Sequence, residues 1–177
     1  MSGKDIKMDK ILSNAMEEKK KIISEMDSII LSTVDLDGNP NSSYAPTAID
    51  KDGNFYIYIS KLSKHTQNLL DNDKVSFMII EDECKAENLF ARRRLTINSK
   101  SEEIIRDTLD WNQKIDLLEN RFTEQISYLK NMMDFHLFKL TPINGLLVHG
   151  FGRAFNFTGK NLQEVIYLNE KGHTEKK

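Results

Sequence analysis

Apolar residues recur every three or four positions near the start of the chain: Ile11, Leu12, Ala15, Met16, Ile22, Ile23 and Met26, with the polar run EEKKK on the opposite side. That spacing predicts an amphipathic helix over about residues 8–26. The period then falls to two. SIILSTV (28–34), NSSYAPTAI (41–49) and NFYIYIS (54–60) are rich in β-branched and aromatic residues and read as strands. DLDGN and DKDGN stand between them, and an Asp-Gly pair supplies the positive φ that a tight hairpin needs. Three strands joined this way form an antiparallel meander.

Farther along, SKHTQNLLDN predicts a short helix with Ser63 as its N-cap. KVSFMIIE (74–81) is a strand with Val75, Phe77 and Ile79 on one face, and RLTINSKSEEI is another after the irregular DECKAENLFARR. Residues 106–133 read as helix, because Leu109, Ile115, Leu118, Phe122, Ile126 and Leu129 share one side. DFHLFKLTPINGLLVHGFGRAFNF predicts two strands joined through Pro142, Asn144 and Gly145, and NLQEVIYLN a short amphipathic helix. No repeat beyond the paired turns and no low-complexity linker interrupts the 177 residues, which read as one domain. The expected class is mainly β with helices (α+β): a six-stranded antiparallel barrel, which removes exposed sheet edges. A polar tail over about 170–177 is expected to be flexible.

Composition narrows the setting. One cysteine, Cys84, rules out an intramolecular disulfide and fits a reducing cytoplasm. The N-terminus lacks the apolar core of a signal peptide, and no run approaches the ~20 residues of a membrane span, so no membrane partner is expected. With 25 basic and 27 acidic side chains the net charge is -2, which gives no reason to expect nucleic acid. The two Asp-Gly segments are not calcium loops: counted from Asp35 or Asp50, glycine arrives fourth instead of sixth, and the twelfth place holds Pro46 or Lys61.

Catalytic signatures of the strong kind are missing: no phosphate loop, paired-cysteine metal site, nucleophile elbow or HExxH. Ser60, Lys61, Ser63, Lys64 and His65 fall where a strand ends and a helix starts, a plausible anion site or an ordinary capped helix. FARRRLTI sets Arg92, Arg93 and Arg94 at a loop-to-strand boundary. Alternation turns Arg93 away from the other two, so at least one guanidinium points inward or into an interface and needs anionic partners. Asp134 and His136 share a side of the DFHLFKL strand, and His149 suits a core or interface position. Composition alone makes His173, in LNEKGHTEKK, a solvated histidine in a frayed tail.

Taken together, IILSTVDLDGNPNSSYAPTAIDKDGNFYIYISKLSKHTQNLLDNDKVSFMIIEDE and FARRRLTI resemble the flavin-binding split-barrel superfamily typified by pyridoxamine 5'-phosphate oxidase. KLSKHTQNLL, EDE, ARRRLT, DFHLFKLTPINGLLVHGFGRAF and the terminal GH are similar to its haem-utilisation branch, the HugZ/HutZ proteins. The resemblance runs from about Ile11 to His173. It implies a homodimer of split barrels holding haem in clefts at the dimer interface, with His173 as the axial iron ligand and Asp134 of the partner subunit supporting it. His65 and the arginines Arg92, Arg93 and Arg94 would line the cleft. The implied reaction is oxidative opening of haem with O2, fed by an unidentified reductase or reductant and yielding iron and a biliverdin-type tetrapyrrole. Neutral imidazole suits iron, and a carboxylate on its second nitrogen fixes the tautomer.

Two other readings stand beside this one. A flavin-dependent oxidoreductase would hold the FMN phosphate with Lys61, Ser63, Lys64 and an arginine of ARRR. A haem storage or transfer protein would share the ligating residues and lack turnover.

Overall fold

A computed structural model of the chain describes residues 3–168. The amphipathic start is helix α1 (Gly3–Ser24), followed by strands β1 (Ser28–Val34), β2 (Pro40–Pro46), β3 (Ala48–Ile49) and β4 (Phe55–Ser60). The two Asp-Gly hairpins form as expected. Gly38 and Gly53 take φ of 84° and 78°, where a side chain would be strained. In the first turn Asp35 accepts backbone hydrogen bonds from Asp37 and Asn39; in the second, Asp50 accepts them from Asp52 and Asn54.

Helix α2 (Lys64–Asp71) and strands β5 (Lys74–Ile80) and β6 (Arg94–Ile104) come next. The long helix expected over 106–133 is two: α3 (Leu109–Arg121) and α4 (Thr123–Leu129). Phe122 separates them with φ -131° and ψ 55°, outside the helical region. Thr108 caps α3, accepting a hydrogen bond from the Trp111 amide.

Strand β7 (Phe135–Val148) runs straight through Pro142, Asn144 and Gly145, where a turn was expected. Asn98 pairs with Asn144 and Ser99 with Pro142, so Ile143 is the extra residue of a bulge. A bulge tolerates proline, which has no N–H for the ladder. The chain reverses later, at 149–153, into β8 (Ala154–Thr158). NLQEVIYLN is not a helix: after one 3-10 turn it forms β9 (Glu164–Tyr167), paired antiparallel with β8. Its apolar positions Val165 and Tyr167 alternate with exposed Glu164 and Ile166, a period of two.

Nine strands, rather than six, therefore form one antiparallel sheet among the described residues: seven follow the order β2-β1-β5-β6-β7-β4-β3, and β8 branches from β7 with β9 beside it. One edge of β7 pairs with β6 along most of its length. The other edge is divided, with β4 on Phe135–Leu140 and β8 on Gly145–Val148. That division is the split of the half-barrel.

Two cores lie on opposite faces of β4 and β7. Phe55, Ile57, Ile59, Phe138 and Leu140 face the barrel interior with Phe77, Phe155 and Phe157, closed by Ala15, Ile22 and Met26 of α1. Tyr56, Tyr58 and Leu137 face outward onto Trp111, Ile115 and Leu118 of α3 and Ile126 of α4. FYIYI is thus apolar on both faces because its own helices cover the second one. The outer face of β1 has no such cover, and Ile30 is exposed opposite exposed Tyr44 on β2.

Candidate active site

The junction of β4, α2 and the start of β7 carries the densest chemistry. Ser60, last in β4, donates from Oγ to Asp134 Oδ2 at 2.6 Å and accepts the Leu62 amide at 3.1 Å. The Lys61 amide donates to the Asp134 carbonyl at 2.7 Å. Asp134 is therefore tied by side chain and backbone to the β4–α2 turn, immediately before β7 begins. Ser63 stands at the N-cap in extended conformation, yet its hydroxyl makes no capping bond.

Beside this junction lies a cleft of about 290 Å³. Its sheet wall is Tyr58, Ile59, Ser60 and Phe135, and its helical wall is Leu118, Phe122, Ile126 and Leu129. Tyr44 and Pro46 close one side, and His65 projects from the first turn of α2. His65 is half-buried, and burial holds its pKa below the ordinary imidazole value, so the ring is neutral at pH 7.

The expected site residues fall into two groups. Ser63, His65 and Ser60 meet at the cleft, with Lys61 and Asp134 bonded to its rim. Lys64 turns away to pair with Asp35 at 3.1 Å. The arginines stand at the opposite end of the sheet, where Arg94 pairs with Val148. From there to Ile104, opposite Leu137, β6 runs ten residues, about 33 Å along the strand. One chain does not bring the two groups together.

Each arginine already has partners. Arg93 reaches Glu18 at 3.5 Å and Glu81 at 3.7 Å and bonds Glu25, which clamps α1 to the barrel. The anions this inward guanidinium requires are carboxylates of its own chain. Arg92 donates from Nε to the Glu81 carbonyl and pairs with Glu83 at 3.1 Å, while Arg94 donates to the Arg92 carbonyl.

His136 bonds Glu103 at 2.6 Å, and His149 stacks on Phe155 with ring centres 5.3 Å apart. A larger recess, about 430 Å³, lies at the arginine end between α1 and Tyr167, lined by Lys7, Lys10, His149 and Arg153. It does not hold His65, and the smaller cleft is where that imidazole, Ser60 with its bond to Asp134, and apolar walls converge. Cys84 is exposed. His173 lies outside the described residues.

The sequence reading missed the helical wall. Leu118, Phe122, Ile126 and Leu129 sit on the apolar stripe of α3 and α4, which spacing alone assigns to core.

The family model of pyridoxamine 5'-phosphate oxidase matches residues 15–149, which run from α1 to the end of β7. The chain belongs to this family. Its HutZ-like character rests on a longer match: 39% identity over 168 residues, 95% of this chain and 94% of the relative, to heme oxygenase HutZ of Vibrio cholerae serotype O1. The crystal structure of HutZ from Vibrio cholerae, described as a heme storage protein, superposes with a TM-score of 0.68 and 41% identity, covering 71% of this chain and 88% of that one. Campylobacter jejuni ChuZ superposes with a TM-score of 0.81 and 30% identity, covering 93% of this chain and 66% of that one.

Proposed function

We propose that the chain binds haem in a cleft shared by two copies and opens the ring oxidatively, using O2 and electrons from an external donor. The carrying observation is the convergence at one apolar cleft of a neutral imidazole, His65, and of Ser60, whose hydroxyl is bonded to the carboxylate of Asp134. That convergence occurs in a chain 39% identical, over nearly its whole length, to a protein named heme oxygenase.

The residues suit the ligand. A flat macrocycle with an apolar body fits walls of Tyr58, Ile59, Phe122, Ile126 and Phe135. Haem, when bound, would supply the iron that activates O2, held by one histidine of the chain. His173 is proposed as that ligand. Asp134 would accept the second N–H of the imidazole and fix its tautomer. Ser60 occupies Oδ2, and Oδ1 has no hydrogen-bond partner among the described residues.

Reach supports a shared site. Leu168 bonds Ala154, which pairs with Val148 at the arginine end of β7. His173 is five residues beyond, at most about 18 Å of extended chain, whereas Asp134 precedes the opposite end of β7. A tail leaving at that end reaches an Asp134 more readily on a second copy, and the same arrangement would bring Arg92, Arg93 and Arg94 of one copy toward the cleft of the other.

The name heme storage protein, given to HutZ in its crystal structure, supports a second reading in which haem is held without turnover. The flavin reading has less support, because Lys64 and Arg93 are both engaged by carboxylates of the chain. Haem titration followed by a reductant in air tests all three. A Soret band that appears with haem and is lost on reduction in air, with a biliverdin-type product, supports the oxygenase; a Soret band that persists selects storage. Protein purified yellow, with no Soret band on haem addition, would sink both haem readings. Deletion after Glu170 is expected to weaken haem ligation, and an unchanged Soret band would dismiss His173 as the ligand.

A further inference from the structure

Arg106, just after β6, is half-buried and bonded to no carboxylate. Its Nη1 donates to the Lys130 carbonyl at 2.9 Å. Its Nη2 faces the Met132 carbonyl at 2.7 Å, the Phe135 carbonyl at 3.1 Å and the Tyr58 hydroxyl at 2.5 Å. The guanidinium lies 5.1 Å over the Trp111 ring and 5.9 Å over Tyr58. One side chain thus gathers three carbonyls from the segment that links α4 to β7.

Asp134 is in that segment. Its carboxylate and carbonyl both face the β4–α2 turn, and Tyr58, whose hydroxyl bonds Arg106, packs 5.2 Å from Phe135 on the sheet wall of the cleft. Only a planar fork with several N–H groups can serve carbonyls spread over residues 130–135; an ammonium is a point donor. These carbonyls engage the guanidinium without an ion pair among the described residues, and its positive charge lies against Tyr58 at the cleft wall. Burial raises the Tyr58 pKa, and Arg106 opposes that rise.

We propose that Arg106 is the positioning residue of this cleft. It holds the 130–135 segment in register with the β4–α2 turn, so that the Asp134 carboxylate stays bonded to Ser60 at the cleft wall and the Tyr58–Phe135 contact stays formed. The purpose assigned to that geometry rests on the haem reading; the geometry itself does not.

The test separates the two. Amide hydrogen exchange is measured without haem on wild type, Arg106→Gln and Arg106→Lys. The Lys61 amide, which donates to the Asp134 carbonyl, and the Leu62 amide, which donates to Ser60 Oγ, report the position of Asp134. Arg106→Gln is expected to speed exchange at both by at least about tenfold, with amides of the β5–β6 ladder unchanged. Arg106→Lys keeps the charge and protects the fold if the glutamine variant fails to express; it is expected to speed the same two amides. Equal acceleration everywhere would reduce Arg106 to a general fold residue, and no acceleration at Lys61 would overturn the proposal. Haem titration of the same proteins follows. A tenfold or greater loss of affinity with a displaced Soret maximum in Arg106→Gln is expected, the size typical of losing support for a metal-ligating group. Selective exchange with unchanged haem affinity would overturn the assignment to the cleft. Wild type that fails to bind haem, with the exchange result intact, would sink the haem reading and leave the positioning role standing.

Discussion

Ser60 and Asp134, 74 residues apart in the chain, are joined by a 2.6 Å hydrogen bond from Ser60 Oγ to Asp134 Oδ2. The bond closes the turn after β4 onto the start of β7 and leaves Oδ1 for an incoming donor. Ser60→Ala is expected to cost about 1.5–3 kcal/mol in urea unfolding, the usual worth of a hydrogen bond to a charged group. Asp134→Asn keeps the volume and loses the charge. It is expected to bind haem but degrade it about 10–100-fold more slowly. Wild-type turnover in both variants would leave Asp134 a turn residue.

Arg93 gives a prediction of the opposite kind. It is surrounded by Glu18, Glu25 and Glu81, and its side chain is 18% exposed. Removing it in Arg93→Ala strands carboxylates on α1 and β5's end, and is expected to cost about 2–4 kcal/mol, less than a fully buried pair and more than a surface one. Thermal and urea unfolding measure this. Unchanged stability combined with weakened haem binding would return Arg93 to the cleft, as the family resemblance implies.

Legibility followed locality. The Asp-Gly hairpins, β1, β5 and β6 were readable because turn chemistry and period-two alternation are local signals. Pro142 misled because a proline looks like a strand end unless the bulge opposite Ser99 is known. NLQEVIYLN misled because four residues of β9 are too few to separate a period of two from 3.6. Of the site, His65 and Asp134 were visible as polar residues beside strand ends, and their family match gave them roles. Ser60 beside Asp134, Arg106 beneath both, and the wall from α3 and α4 are long-range pairings that no spacing rule encodes. FYIYI is apolar on both faces because α3 and α4 cover the second, whereas the exposed apolar pair is Ile30 with Tyr44.

That pair yields a prediction about assembly. Ile30 and Tyr44 face each other across β1 and β2, 38% and 62% exposed. If the proposed homodimer uses this sheet face, Tyr44→Glu puts a charge where a second copy would bury it and weakens association at least about tenfold. Sedimentation over a concentration series measures the shift. A variant that stays dimeric at wild-type concentrations would place the interface elsewhere, and a wild-type monomer at micromolar concentration would dismiss the dimer.

The final prediction concerns acid. Burial lowers the pKa of His65, and it does the same for His149, where the Glu18 carboxylate opposes the shift and the charges of Arg153 and Arg93 add to it. In the unfolded chain both titrate near 6.5. On acidification the unfolded state therefore takes up protons first, and stability falls with pH by linkage. The contribution is complete above about pH 6.5 and is lost as pH drops through the lowered folded values. His65→Gln removes one titrating ring while keeping a polar side chain at the cleft wall. Its urea midpoint is expected to fall less steeply than wild type between pH 6.5 and 5, with His149→Gln showing the same sign independently. Because the two sites lie at opposite ends of β7, the effects should add in the double variant. Parallel midpoint curves for wild type and His65→Gln would show that His65 protonates freely in the folded chain, and would remove the neutral imidazole on which the cleft chemistry depends.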